Sequence, residues 1–203
     1  MATGQRKSPS AVGFLTVLEH SQHGLMGGYL VLNIAGRPLE FHCTAPVKPN
    51  RAQQILYGPT LEPYLYGEQI GQALVSKSSL EPLVIFTDRQ PALAVRMLID
   101  IPLALVLPRS NTSMQPTTVQ PADDSTDASA SPECRVDQPH VDANGARFTM
   151  FAIGRNRLAV TPDRESDRTA VQERLAELAD AFDLAEPFDR IREAIEEAQR
   201  VGR

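Results

Sequence analysis

Short runs of apolar residues, some of them alternating with polar ones, dominate the first part of the chain. This pattern predicts β-strands at 14–18, 29–33 and 39–43. The segment between the first two strands, from Glu19 to Gly28, contains three glycines and is predicted to form a wide turn. Gly36 lies in the short connection that follows. Three consecutive strands joined in this way predict an antiparallel meander.

The third strand has the clearest alternation of the three. Leu39, Phe41 and Cys43 fall on one face, because successive side chains of a strand point to opposite sides of the sheet. Glu40 and His42 fall on the other face. His42 and Cys43 are therefore not expected to share one metal ion.

Helical spacing replaces alternation after the meander. Asn50 is predicted to cap a short helix that ends at Leu56. Further on, two continuous apolar runs at 82–86 and 103–107 flank a segment with helical spacing at 90–99. A strand, a connecting helix and a second strand of this kind predict a parallel crossover unit, in a sheet that is covered on both faces.

The composition changes sharply at Pro108. Residues 108–145 contain few large aliphatic side chains, so they bury too little apolar surface to offset the entropy of ordering. They carry 2 basic and 6 acidic residues, a net charge of −4 against −5 for the whole chain. We predict a disordered linker or insertion here, between an α/β domain at 13–107 and a C-terminal part at 146–203. Residues 1–12 are predicted to be a disordered N-terminus.

The C-terminal part begins with two further strands. The segments 148–153 and 157–161, separated by a turn at Gly154, predict a hairpin. Two strands alone are only marginally stable in water. The hairpin is therefore predicted either to belong to a small separate domain or to pair with the N-terminal sheet. In the second case the linker is an insertion within one fold.

Two amphipathic helices are predicted to end the chain, and their short connection makes them an antiparallel pair. Burying such helices contributes roughly 1.5–3 kcal/mol for each large apolar side chain. The stripes are predicted to dock on the chain's own sheet or, as a close alternative, to form an interaction face for another protein. The stripe residues are Val171, Leu175, Leu178 and Phe182 in the first helix, and Phe188, Ile191 and Ile195 in the second.

Composition and charge argue against several classes of protein. The net charge of the 203-residue chain is −5, whereas a protein that binds nucleic acid generally needs a basic surface. Only two cysteines are present, too few for a typical disulfide-stabilised secreted protein. No apolar run approaches the roughly 20 residues that span a bilayer, and the N-terminus lacks the apolar core of a signal peptide. We therefore predict a cytoplasmic protein with no nucleic-acid partner and no membrane association.

Candidate metal and catalytic chemistry is sparse. His20 and His23 have a spacing that suits two ligands of one zinc ion. Further ligands are hard to find, because Cys134 and His140 fall in the predicted linker. Ordinary loop and surface histidines are the better interpretation. We predict no metal, no cofactor and no catalytic residue.

Asp88 and Arg89 directly follow an apolar strand. Ligands of open α/β sheets bind beyond the carboxyl ends of the strands. This pair is therefore a candidate ligand site, together with His20 and His23 from the Gly-rich segment. The commoner role of a polar residue at such a position is to cap the helix that follows, with Thr87 or Asp88 as the cap.

The predicted fold class is α/β (α+β). It combines an N-terminal meander with helices, a strand–helix–strand unit, a long linker, and a C-terminal hairpin with two helices. No motif specifies a reaction, so we predict a non-catalytic adaptor or subunit of a multiprotein assembly that binds another protein or associates with itself. One alternative is a small-ligand-binding domain of the sensory type. Another is a metal-assisted hydrolase that uses His20, His23 and His42.

Overall fold

The computed structural model describes residues 10–20, 23–108, 139–141, 147–175 and 183–201, and the structural statements below concern these residues. They form a mixed α/β structure around one sheet with the strand order β3-β2-β1-β4-β5-β8-β7-β6, which confirms the predicted fold class. The strands are β1 (Ala11–His20), β2 (Gly24–Asn33), β3 (Pro38–Cys43), β4 (Val84–Thr87), β5 (Leu103–Val106), β6 (Pro139–Val141), β7 (Arg147–Ile153) and β8 (Asn156–Val160).

The meander is present, but the predicted wide turn between its first two strands is wrong. β1 and β2 pair antiparallel up to His20 and Gly24, and only Gly24 of the three glycines has a positive φ. Gly27 and Gly28 lie inside β2. A Cβ atom at Gly27 would collide with Ile70, and one at Gly28 with Ile191. These glycines therefore serve to let helices approach β2 closely on both faces of the sheet.

The crossover unit is present as well. β4 and β5 are parallel neighbours, and β1 pairs with β4 in parallel on the other side. Their connection is a 3-10 helix, Gln90–Met97, where the sequence predicts an ordinary helical segment. Its buried residues, Ala92 and Val95, cover the sheet on the same face as Ile70.

The segment between β3 and β4 is helical along most of its length. Helix α1 (Arg51–Tyr57) begins at the predicted cap: the Asn50 side chain accepts from the Gln53 N–H at 2.8 Å, and the Gln53 side chain accepts from the Asn50 N–H at 2.9 Å. A continuous helical stretch follows, in four parts: a 3-10 turn (Gly58–Thr60), α2 (Leu61–Pro63), a π-helical part (Tyr64–Gln72) and α3 (Ala73–Val75). This stretch covers one face of β1 and β2.

The C-terminal hairpin continues the N-terminal sheet. β8 pairs antiparallel with β5, with Leu105 opposite Ala159, and β7 pairs with β8. Of the two alternatives drawn from the sequence, pairing with the N-terminal sheet is the one observed. The strand β6 lies within the predicted linker and pairs with β7. The rest of that linker, 109–138 and 142–145, falls outside the described residues.

Two helices cover the second face of the sheet. Helix α4 (Glu165–Leu175) lies against β5, β7 and β8, and α5 (Glu186–Val201) lies against β1 and β2. The described stripe residues are buried here, in one cluster with β-strand side chains. They are Val171, Leu175, Phe188, Ile191 and Ile195, each at most 3% exposed. Leu178 and Phe182 fall outside the described residues. The described residues of both stripes thus dock on the chain's own sheet.

Candidate functional site

The carboxyl ends of β1 and β4 form one edge of the sheet. The two strands are parallel, with Leu15 opposite Thr87, so the residues after Thr87 and the last five residues of β1 reach the same edge. The four predicted ligand residues, His20, His23, Asp88 and Arg89, all lie along it. The structure therefore brings these four residues to one edge of the sheet.

Asp88 is the centre of a small polar network. Its Oδ1 accepts a hydrogen bond from the buried Thr16 hydroxyl at 2.6 Å. Its Oδ2 pairs with the guanidinium group of Arg192 on α5, which also bonds Asp189. The following 3-10 helix has no side-chain cap, so neither Thr87 nor Asp88 has the capping role that the sequence favours; the Thr87 hydroxyl accepts from the Arg89 N–H, at 3.1 Å. The Asp88 carboxylate instead joins β1, β4 and α5.

Arg89 has a donor without an acceptor. Its Nε is buried and forms no hydrogen bond with any described residue, and the nearest carboxylate oxygen of Asp88 is 4.0 Å away. The side chain as a whole is 42% exposed, so a ligand can reach other parts of it. A buried donor without a partner costs roughly 1–3 kcal/mol. Arg89 is therefore incompletely hydrogen-bonded within the described residues, and the exposed part of its side chain can meet an acceptor from outside the chain.

A hydrogen bond between Tyr66 and Glu19 lies beside Arg89. The Tyr66 hydroxyl donates to Glu19 at 3.2 Å. Burial, aided by the negative charge of Glu19, raises the pKa of Tyr66 to about 12. Tyr66 therefore stays protonated at neutral pH and keeps the Glu19 carboxylate oriented at the end of β1.

The two histidines of this edge form a local turn. Their ring centroids are 4.5 Å apart, and the His23 N–H donates to His20 Nδ1 at 3.3 Å. His42 lies elsewhere: it is opposite Tyr29 on β2, five residues from Gly24, which corresponds to about 17 Å along the strand. The described part of the chain contains no group of three His, Cys, Asp or Glu side chains positioned to hold a metal ion.

Two adjoining clefts open at this edge beneath α5, and Arg89 and Arg192 line both. One has a volume of about 190 Å³ and the other about 300 Å³. We call them together the Arg89 clefts. Their other polar lining residues are Glu19, His20, Glu196 and Gln199 in the first, and Asp88 and Asp189 in the second. Phe188 and Val106 supply apolar wall to the second cleft.

No protein-family model matches this chain, and no curated protein is significantly similar to it. Its function must therefore be inferred from the site itself. Among the described helices, none is both long enough and apolar enough to cross a membrane.

The sequence did not reveal Thr16, Tyr66 or Arg192 as parts of the site. Arg192 lies 104 positions from Asp88, and only the docking of α5 brings the two together. Thr16 stands among apolar residues of β1 and has no sequence feature that marks it. The predicted interaction residues of the two helices lie beneath the surface, in contact with the sheet, and form no exposed face where they are described.

Proposed function

We propose that this protein binds a small organic anion in the Arg89 clefts, and that Arg89 holds the anionic group of the ligand. The carrying observation is that Arg89 lines both clefts with a partly exposed side chain and is incompletely hydrogen-bonded within the described residues. A carboxylate or phosphate can contact the exposed part of its guanidinium group, which binds both anions well. The position of the site, beyond the carboxyl ends of parallel strands, is typical of ligand binding in α/β sheets.

The charges around the clefts narrow the ligand class. Glu19, Glu196 and Asp189 line the same clefts as the two arginines. These carboxylates repel a ligand that carries several negative charges. They favour a ligand that combines one anionic group with hydrogen-bond donors, as amino acids and hydroxy acids do. The volumes, about 190 and 300 Å³, also suit a small molecule.

The scaffold supports binding because the cleft walls are fixed. Asp88 links Thr16 on β1 to Arg192 on α5. Phe188, at the start of α5, packs edge-on against Phe14 with ring centroids 5.6 Å apart. Preorganised walls lower the entropy cost of holding a ligand. An adaptor role was inferred from the lack of catalytic motifs, the predicted linker and the helix stripes, and the stripe side chains are buried in the core where they are described.

Thermal-shift measurements with a panel of small molecules test the proposal. The panel contains amino acids, hydroxy acids, dicarboxylates, sugar phosphates and neutral sugars. We expect amino or hydroxy acids to raise the melting temperature, because a ligand present at 100 times its Kd stabilises the folded state by about 2.7 kcal/mol. Calorimetric titration then gives the affinity of each hit.

The matched variants are Arg89→Gln and Arg37→Gln. Arg37 is exposed in the turn between β2 and β3, at the amino end of β1 and so at the opposite edge of the sheet from the clefts. Arg89→Gln should weaken binding at least tenfold, whereas Arg37→Gln should leave it unchanged. Equal binding by both variants would place the ligand elsewhere, and the absence of any stabilising anion in the panel would count against the proposed ligand class.

A further inference from the structure

The two ends of the sheet differ in the length of their outermost strands. β6, at one end, has only three residues and begins with Pro139. β3, at the other end, also begins with a proline, Pro38, and its pairing with β2 has a register shift next to that residue, but it has six residues and no neighbouring strand on its outer side among the described residues. Proteins usually protect sheet edges by short strands, prolines or charges, since open edges pair with other chains. Of these protections, a short outermost strand is present only at the β6 end.

The hydrogen-bonding pattern shows which backbone groups of β3 are open. The Thr44 N–H donates to the Gly27 carbonyl at 3.0 Å, so Thr44 faces β2. Backbone groups alternate in direction along an antiparallel strand. His42 and Glu40, paired with Tyr29 and Val31, therefore also face β2. Phe41 and Cys43 direct their N–H and C=O groups outward.

Apolar side chains accompany these open backbone groups. Leu39 and Phe41 are each 38% exposed, and Cys43 is exposed too. Phe41 is opposite Leu30, a core residue of the α5 face, and therefore extends that core to the rim of the sheet. Further apolar surface beyond this rim is supplied by Ile34, which is 50% exposed.

We propose that two copies of this chain associate through β3, antiparallel, with Phe41 opposite Phe41 of the second copy. This register joins the outward backbone groups of the two Phe41 residues in a pair of hydrogen bonds. The two Phe41 rings then lie side by side on the same face, as cross-strand aromatic pairs do. The association extends the sheet across a twofold axis, which is the commonest symmetry of soluble homodimers.

The charges of Glu40 and His42 favour this register over the neighbouring registers of the two β3 strands. With Phe41 opposite Phe41, Glu40 lies opposite His42 of the second copy, and an acid meets a base on both sides of the axis. A shift that places Phe41 opposite Cys43 would instead put the two His42 residues face to face. Glu40 is held in its anionic form by hydrogen bonds from Ser78 and Ser79. Within its own chain Glu40 also contacts His42, with 3.3 Å between Oε2 and Nε2. In the proposed register two such pairs lie side by side, with each carboxylate opposite an imidazole of the second copy and not opposite a second Glu40.

Disulfide cross-linking tests the register. Phe41→Cys, made in a chain where Cys43 and Cys134 are serine, should form a disulfide-linked dimer under mild oxidation. Directly opposed hydrogen-bonded residues have Cα atoms about 5.5 Å apart, which fits a disulfide. The matched control is the chain that retains Cys43 alone. In this register its two copies lie four residues apart, about 14 Å, well beyond disulfide reach.

Sedimentation equilibrium tests the association without any cross-link. Phe41→Lys should raise the dimer Kd at least tenfold, because a lysine at a sheet edge opposes its own copy. Ile55→Lys is the control: Ile55 is 66% exposed on α1, so the same chemical change is made away from β3. It should leave the Kd unchanged. Melting curves of both variants show whether each remains folded.

Three results would overturn the proposal. The first is a monomer at every concentration that the protein tolerates. The second is cross-linking through Cys43 as efficient as through Phe41→Cys. The third is a monomer whose Phe41 and Cys43 amides are nonetheless protected from hydrogen exchange, since another segment of the same chain would then cover the edge.

Discussion

Two aspartate–arginine contacts lie at opposite edges of the same sheet, and their surroundings differ. Asp167 of α4 binds Arg96 near Leu103, at the amino end of β5. Asp88 binds Arg192 beyond the carboxyl end of β4. Since β4 and β5 are parallel, the two contacts stand at different ends of the sheet. Both join a C-terminal helix to the N-terminal half of the chain.

The contact at Asp167 is closed. Its oxygens accept from Arg96 Nε at 2.7 Å, from Arg96 Nη2 at 3.1 Å and from the Leu103 N–H at 3.2 Å. Arg96 Nη1 donates to the Ile99 carbonyl at 2.7 Å. The Asp167 side chain is only 3% exposed. A buried pair with this many hydrogen bonds fixes α4 on the sheet and has little capacity left to bind a ligand.

The contact at Asp88 is open. Arg192 is 34% exposed, two clefts adjoin it, and the neighbouring Arg89 keeps a donor without an acceptor. Similar residue types therefore have different expected roles, which depend on burial and on how many of their polar atoms are already bonded. The Asp167 contact stabilises the fold, and we assign the Asp88 contact to the ligand site. The variants below test this difference, from the largest expected effect to the smallest.

Asp167→Asn should have the largest effect on stability. It removes the charge opposite Arg96, whose side chain is only 17% exposed, and leaves a largely buried cation unpaired. Breaking such a pair typically costs about 3–5 kcal/mol. Urea unfolding measures the loss. Asp163→Asn is the control, because the Asp163 side chain is 75% exposed in its contact with Arg164, and such surface pairs contribute about 0–1 kcal/mol.

A double variant separates two contributions to the stability loss at Asp167, the unpaired charge and the changed packing. Arg96→Met combined with Asp167→Leu removes both charges together. Replacing a buried ion pair by apolar residues of similar volume is often neutral, so the double variant should recover the part of the loss that comes from the unpaired Arg96. The Leu103 N–H, which loses Asp167 as its acceptor, should leave a residual cost of roughly 1–3 kcal/mol. A loss of less than about 1 kcal/mol in Asp167→Asn itself would mean that this contact is no stronger than a surface pair.

Gly28→Ala should come next, because it disturbs the helix that carries Arg192. The added Cβ would meet Ile191 and Ile195 of α5. Overpacking of this kind costs about 1–3 kcal/mol. A double-mutant cycle with Ile191→Ala tests the cause: in the Ile191→Ala background, Gly28→Ala should cost clearly less. Additive losses would show that the two side chains do not clash.

Gly28 also illustrates what the sequence could not predict. A glycine-rich segment indicates a turn by local propensity, and this prediction failed because the need for glycine comes from two helices distant in sequence. Predictions that depend on neighbouring residues succeeded instead. Asn50 caps α1, and Gly154, with a φ of 54°, occurs in the β7–β8 turn. The strands β4 and β5 were predicted from their continuous apolar runs, since both faces are covered.

The same difference between local signals and long-range packing applies to the candidate site. Asp88 and Arg89 were predicted because a polar pair directly follows an apolar strand, which is a local signal. Arg192 was missed because its role depends on the angle at which α5 crosses the sheet. The burial of Ile191 was predicted from helical spacing alone. Spacing indicates which side chains enter the core, whereas the partner of a polar side chain on the flank of the same helix depends on tertiary packing.

Asp88→Asn should weaken ligand binding and stability by similar free energies. Asparagine retains an acceptor for the Thr16 hydroxyl but loses the charge that orients Arg192. Since Asp88 is 15% exposed and Asn keeps the bond to Thr16, we expect a stability loss of about 1–2 kcal/mol, between the values typical of neutral hydrogen bonds and of hydrogen bonds to charged groups. Affinity for the anion that stabilises the unmodified protein should fall about tenfold by calorimetry, which corresponds to about 1.4 kcal/mol. Undiminished binding would contradict the assignment of this contact to the site.

Glu40→Gln should have the smallest effect, and it should appear only in acid. Hydrogen bonds from Ser78 and Ser79 lower the pKa of Glu40 from 4.5 to about 2 in the folded protein. A carboxyl group whose pKa is lower when folded stabilises the fold above the unfolded pKa, and this contribution is lost as the pH falls toward the folded value. The window is therefore about pH 4.5 to about pH 2. Because the group is close to solvent, we expect a contribution of about 1 kcal/mol.

The measurement compares urea unfolding at neutral pH with unfolding across that window. It is made in the Phe41→Lys background, so that loss of self-association through β3 does not contribute to the result. The Glu40→Gln chain should lose about 1 kcal/mol less stability than its parent as the pH falls, because it has no carboxylate to protonate. Glu68→Gln, at an exposed position of the π-helical part, is the control and should follow the parent. If all three chains lose stability in parallel, the carboxylate of Glu40 does not stabilise the fold. The hydrogen bonds from Ser78 and Ser79 would then be too weak to fix a negative charge on β3, and that charge could not select the register of the dimer.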